Sequence, residues 1–364
     1  MAIATEHWLT TEPDLAGAHP ARLESIGVRL PARRLSTDEL MASTAHDTHI
    51  DLERLTGIHE RRIVADGEDS LSLAVGAARD CLNRSRHRAG DLDMVINASI
   101  SKYAGGYRQR LEPPLSLLVK QAIGAVDAVS FDISNACAGM LTGVFLLNDY
   151  IRRGEIERGM VVSGEAISQL GRNAARQVRS IMSRQLASLT LGDAGAAVIV
   201  ERDGTGSSGI TTAAFTTLAK HSRLCLAYPS RVGPGATMYT RARTIHKVAI
   251  DNVPTLLREA LDRAGLDLAD IDYFIPHQTS SRAIRTGTRA LQDIFRQLPG
   301  EVVDNVELFG NTSSTTHFVA LHRLLQEGRM HAGDRVLLLA LASGLEIGVV
   351  VFTIDDQMEK SWVS

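Results

Sequence analysis

The spacing of apolar residues changes sharply between Val129 and Arg153. Val129 to Ile133 alternate and are β-branched or aromatic, which predicts a strand. Met140, Leu141, Val144, Phe145, Leu147 and Ile151 then recur at helical spacing, which predicts a helix from Cys137 to Arg153. The same reading predicts strands at Leu23 to Val28, Met94 to Ser99 and Met160 to Ser163, and another across Leu191 to Val200. Helices are expected from Ser36 to Ala45, with Ser36 and Glu39 as a capping box, from Ser70 to Arg84, and from Pro114 to Ile123. Thr56 to Arg62 reads as a charged turn. Val336 to Ile354 is apolar but broken by Ser343, Gly344 and Glu346, so it reads as two buried strands and a turn and not as a membrane span.

The second half repeats this order. LLREALDRAGLDLADIDYFIPHQ (Leu256 to Gln278) echoes AARDCLNRSRHRAGDLDMVINAS (Ala77 to Ser99). NTSSTTHFVALHRLLQEGRM (Asn311 to Met330) echoes CAGMLTGVFLLNDYIRRGEI (Cys137 to Ile156). Laid without gaps on Gly154 and Gly328, Cys137 falls opposite Asn311. The expected architecture is a duplicated α/β unit. An N-terminal arm spans residues 1–22, a first half 23–203 and a second half 204–364, with the Gly/Ser-rich stretch RDGTGSSG (Arg202 to Gly209) at the boundary.

Composition narrows the function. Of 364 residues, 44% are hydrophobic, enough for a sizeable core, and the net charge of −3 gives no case for nucleic acid or an anionic membrane. Cys81, Cys137 and Cys225 lie far apart without a CxxC pair, which favours free thiols in a reducing, cytoplasmic setting. No HExxH, CxxC or EF-hand pattern occurs, so no metal is expected. The first residues carry no basic segment followed by an apolar one, so no signal peptide is expected.

Cys137 stands at a strand-to-helix turn among Ser134, Asn135, Ala136, Ala138 and Gly139. There the helix dipole and free amides favour thiolate, although a buried structural cysteine fits the same stretch. His277 follows the apolar strand DYFIP and precedes a helix beginning near Ser280, and Asn311 opens another helix start. Packing two related halves about a pseudo-twofold brings such corners together. A histidine there can move a proton, and both side chains can donate to a developing oxyanion.

Five stretches, TGIHERRI, FDISNACAGM, LGDAGAAVIV, FIPHQTSSR and GNTSS, occur in this order along nearly the whole chain. Through them the sequence resembles type III β-ketoacyl synthases, condensing enzymes of the thiolase fold. The resemblance implies an α-β-α-β-α layered molecule with two pseudo-symmetric halves, acting as a homodimer without a cofactor. Substrates arrive as phosphopantetheine thioesters of acyl carrier protein or CoA. Cys137 is then the acylated nucleophile, His277 and Asn311 bind the second thioester, and the Cys137 and Gly344 amides form the oxyanion hole. The implied reaction is a Claisen condensation in polyketide or fatty-acid-like metabolism; acyl transfer to a hydroxyl or amine is the alternative. The order Cys, His, Asn also occurs in papain-like hydrolases, which the mid-chain NACAGM setting disfavours, and the intact Cys137, His277 and Asn311 argue against an inactive partner subunit.

Departures from the family pattern are informative. Ala342 to Gly348 replaces the usual GGG-containing loop, and Leu55 stands where fatty-acid enzymes carry an adenine-stacking arginine. Arg282, Arg285 and Arg289 form a row at i, i+3 and i+7, matching a carrier or CoA docking helix, although on spacing alone a solvated face fits equally. Glu112 lies roughly where relatives that join two acyl chains hold a base that reaches the partner subunit's site. A glutamate favouring the start of the next helix is the plainer reading. Met160 to Ser163 is a candidate for a strand shared across the dimer.

Overall fold

The structure, a computed structural model, describes residues 9–10, 19–105, 107–204 and 209–363. Two mixed sheets carry it. In chain order their strands are β1 (Leu9–Thr10), β2 (Ala21–Arg29), β3 (Met94–Asn97), β4 (Val129–Asp132), β5 (Arg158–Glu165) and β6 (Ala194–Arg202). The remainder are β7 (Gly209–Thr217), β8 (Tyr273–Pro276), β9 (Glu301–Val302), β10 (Arg335–Ala342) and β11 (Glu346–Thr353). The first sheet has the order β2-β6-β5-β3-β4 and the second β1-β7-β11-β10-β8-β9. In each, a central strand pairs in parallel with two neighbours and the far side is antiparallel: β4-β3-β5 then β6 and β2, against β9-β8-β10 then β11 and β7. The duplication is therefore one of hydrogen-bonding pattern as well as of element order.

The helices Gly139–Arg152 and Thr316–Gln326 lie between the sheets, each packing on strands of both. Met140, Leu141, Val144, Phe318, Leu321 and Leu324 bury there in one continuous core. Outside, the Ser70–Arg84 helix covers the first sheet, and the Ala242–Ala264 and Ser281–Phe295 helices cover the second. The result is the five-layer α-β-α-β-α arrangement. A helix apolar on nearly every side, as Gly139–Arg152 is, is stable only where both faces are covered.

Four expectations change. Of the N-terminal arm, most lies outside the described residues, but Leu9–Thr10 pair with Phe215 and Ala214, and β2 begins at Ala21 instead of Leu23. Part of the Gly/Ser stretch, residues 205–208, also lies outside them. β5, which contains Met160 to Ser163, is interior, bonded to β6 on one side and β3 on the other, so it has no free edge to share. The open edge is β4, where Val129 is 59% exposed. Finally, the register of the repeat slips: Gly154 and Gly328 both end their helices with positive φ, but the turn Ser313–Thr315 begins three residues later than the Cys137 turn in that alignment. Ala136 (φ 44°) and Ser313 (φ 59°) open those turns, so the structural counterpart of Cys137 is Ser314, and Asn311 stands one turn ahead.

Candidate active site

β4 ends at Asp132, the chain crosses Ser134 and Asn135, and a single 3-10 turn, Ala136–Ala138, presents Cys137 before the helix proper starts at Gly139. Gly139 permits this close seat, because a Cβ there would stand 2.9 Å from the Ala98 carbonyl oxygen. The opposing corner is built alike. Gly310 takes φ 61°, and a Cβ on it would meet the Thr190 carbonyl at 2.5 Å. That lets Asn311 bridge to Leu191: its N–H donates to Thr190 O at 2.9 Å, and its O accepts from Gly192 N at 3.0 Å. The bridge stitches the second half onto the first beside the site.

Ser313 joins the two corners. Its N–H donates to Asn311 Oδ1 at 2.9 Å, and its hydroxyl lies 3.3 Å from the Cys137 sulfur. Asn311 Nδ2 is left as a donor without a partner among the described residues. His277 follows β8, its N–H bonded to Leu339 O on β10 at 2.8 Å, and the Cys137 turn packs on the strand β10 as well. The His277 ring lies 5.9 Å from that of His317, whose Nε2 donates to the same Leu339 carbonyl at 2.9 Å. The Gly344 turn connects β10 to β11, and the ends of both strands pack on the Cys137 turn. Neither the Cys137 nor the Gly344 amide has an acceptor among the described residues.

Electrostatics correct one expectation. Burial pushes the Cys137 thiol up to about 12; the Ser313 hydroxyl opposes this, while Cys225 and Glu165 add to it. The resting Cys137 sulfur is therefore a thiol and not a dipole-activated thiolate: desolvation outweighs a surface-scale dipole effect of about 1 kcal/mol. Burial lowers His277 to about 3, helped by His317, and lowers His317 to about 4. Both rings are neutral at physiological pH, and the Nδ1 of each is buried without a partner among the described residues.

The other candidates lie apart from this cluster. Glu112 is exposed, in a bend before the Leu115–Ile123 helix, and bonds to none of Cys137, His277 or Asn311. At that helix start it is Asp132 that accepts the Leu115 and Ser116 amides, at 3.3 and 2.8 Å. Arg282, Arg285 and Arg289 are exposed on the Ser281–Phe295 helix, with no acidic partner among the described residues. Leu55 is half-buried against Leu52 and its neighbours. No three His, Cys, Asp or Glu side chains are grouped to hold a metal among the described residues. No helix among them is long and apolar enough to cross a membrane. Sequence reasoning passed over Ser313 and Glu165. Ser313 sat within GNTSS, and Glu165 is the one acid in the otherwise apolar or small run GMVVSGEA.

Comparison with known proteins agrees with this geometry. Residues 131–218 match the model of 3-oxoacyl-[acyl-carrier-protein] synthase III, and residues 261–354 match that of its C-terminal part. The β-ketoacyl-[acyl-carrier-protein] synthase III of Deinococcus deserti is 29% identical over 336 residues, covering 88% of this chain and 87% of the relative. The crystal structure of the 3-oxoacyl-[acyl-carrier-protein] synthase III of Aquifex aeolicus superposes with a TM-score of 0.77 at 26% identity, over 92% of this chain and all of that one. A cysteine-to-serine variant of Xanthomonas campestris OleA, solved with lauric acid and lauroyl-CoA, shares the fold with a TM-score of 0.79 at 23% identity, over 92% of this chain and 99% of that one. With a duplicated sheet pattern and a cysteine and an asparagine held on one serine, the chain belongs to the 3-oxoacyl-[acyl-carrier-protein] synthase III family of ketosynthase-type condensing enzymes.

Proposed function

We propose that this chain joins two acyl thioesters through an acyl group held on Cys137. The observation that carries the reading is Ser313, which ties the Cys137 sulfur to the Asn311 carboxamide. In the first step the sulfur attacks the carbonyl of an acyl-CoA or acyl-carrier thioester, and the departing thiol takes the proton. The Cys137 and Gly344 amides receive the oxyanion. In the second step neutral His277 and the Asn311 Nδ2 group donate to the carbonyl of the second thioester, so that an enolate forms there. Its carbanion arises by loss of carbon dioxide from a malonyl unit or by deprotonation. It attacks the acyl-cysteine, Cys137 leaves as thiolate, and a β-ketoacyl thioester is released. A neutral His277 suits this step: it holds a hydrogen to donate and does not protonate the carbanion as an imidazolium would.

Glu112 is exposed and unbonded to its own site, which supports a base delivered to the partner subunit of a homodimer across the open β4 edge. The Arg282, Arg285 and Arg289 row, unpaired, suits the phosphate of a CoA or carrier arm. Three free cysteines suit a cytoplasmic enzyme, and the residues call for no cofactor beyond the substrate's own phosphopantetheine.

Intact-mass spectrometry with a panel of acyl-CoA and acyl-carrier thioesters tests the reading. The expected result is one acyl adduct, absent in Cys137→Ala, and with a malonyl donor a chain two carbons longer with release of carbon dioxide. An adduct that passes only to a hydroxyl or amine overturns condensation in favour of acyl transfer. With two acyl thioesters and no malonyl donor, Glu112→Gln should keep the adduct and lose the condensed product; unchanged product removes Glu112 from the mechanism.

A further inference from the structure

Glu165, the last residue of β5, is fully buried, yet among the described residues no Lys, Arg or His stands within ion-pair distance of it. Donors surround it instead. The Ile100 and Ser101 amides reach it at 3.0 and 3.2 Å, the Ser101 and Ser163 hydroxyls at 3.2 Å each, and the Ser314 hydroxyl closes the shell in a short bond. Ser163 and Ser314 oxygens also lie 2.8 Å apart, so their two hydroxyl hydrogens are shared between Glu165 and this contact. Ile100 and Ser101 belong to the first half, and Ser314 to the second, one residue past the serine that touches Cys137. A buried carboxyl without a cation is costly to ionise: burial pushes Glu165 up, and the donors from Ile100, Ser101 and Ser314 oppose that shift.

We propose that Glu165 is a positioning residue: it clamps the Asn311–Ser314 turn against Cys137 by tying Ser314 to the Ile100–Ser101 backbone of the first half. It rests on Cys137 being the nucleophile. Of the two titratable groups that act on that sulfur, Cys225 contacts Thr240, whereas Glu165 bonds to the turn that carries Ser313. A closed shell of fixed donors also explains the two serine side chains from different halves meeting in an otherwise apolar interior.

The test is steady-state turnover beside Cys137 alkylation by iodoacetamide, followed by intact mass. Glu165→Gln removes one of the two acceptor oxygens and should lower kcat at least about tenfold with Cys137 still alkylated. Ser314→Ala cuts the clamp from the other side, so kcat should fall about tenfold while the alkylation rate stays within about twofold of the parent's. Glu165→Asp, which keeps both oxygens, should recover part of the lost kcat. A folded Glu165→Gln protein with parental kcat overturns the proposal, as does Ser314→Ala with parental kcat. Where Glu165→Gln does not fold, Ser314→Ala decides alone by the same criterion. A parent that never accepts an acyl group would sink the nucleophile reading instead, so the two failures are distinguishable.

Discussion

Two cysteines of this chain share one electrostatic condition and differ in everything else. Burial pushes both the Cys81 and the Cys137 thiols up to about 12. Cys81 lies inside the Ser70–Arg84 helix, wholly buried, with its sulfur 3.3 Å from the Ser25 hydroxyl and donating to Ser25 O at 3.4 Å. Cys137 stands half-buried on a single turn ahead of its helix, between two positive-φ corners and beside Ser313. The titration of a sulfur therefore does not mark the nucleophile here. What sets Cys137 apart is its partial exposure, together with the Cys137 and Gly344 amides left without acceptors among the described residues.

The largest expected break in this comparison is Cys137→Ala. It should remove acylation and reduce turnover by on the order of 10^3-fold or more, read by intact mass and product formation. Cys81→Ala should leave kcat/KM within about twofold and cost roughly 1–2 kcal/mol of stability in a urea titration, because it only opens space in the core. Equal losses of activity from both would dissolve the distinction. Next in size is Gly310→Ala. A side chain at φ 61° against the Thr190 carbonyl must displace Asn311, with a cost of about 1–3 kcal/mol and a larger fall in kcat than in acylation rate. A smaller effect sharpens the electrostatic half of the argument. His317 is lowered to about 4 from 6.5, so the unfolded chain binds its proton first as pH falls. Its stability contribution is complete above pH 6.5 and lost as pH drops towards 4, at about 1.4 kcal/mol per unit. Burial raises Asp193 to about 6, and that group works in the opposite sense. The clean measurement is therefore the difference between parent and His317→Gln, which should lose stability less steeply between pH 6.5 and 4. The smallest effect is Arg282→Glu with Arg289→Glu, which should raise KM for a carrier thioester several-fold at low salt and leave kcat unchanged.

Much of this was legible in the residues. Ser70 to Arg84 is helical from end to end because its small and apolar face, Leu73, Ala74, Ala77, Ala78 and Cys81, repeats at helical spacing. Ser36 and Glu39 form the expected capping box, and the Ser343–Leu345 break does turn β10 into β11. Other features were hidden for physical reasons. The register slip between Cys137 and Asn311 is a three-residue difference in helix start that a gapless comparison cannot show. The Ala242–Ala264 helix carries Pro254 within it, and the repeat comparison reached only its part from Leu256 onward. The hairpin of Cys225–Pro229 and Ala236–Thr240 has mixed, half-exposed strands without an alternating signature. The charge state of Cys137 depends on what the second half lays over it, and no local window contains that.

The Leu191–Asn311 bridge sets an order of failure. It is short, it carries one reactive corner, and it is the seam along which one half would slide against the other. Mild denaturant or heat should shear that seam while both sheets are still intact. Loss of catalysis should then precede loss of circular dichroism, and the folded but idle intermediate should regain activity on dilution.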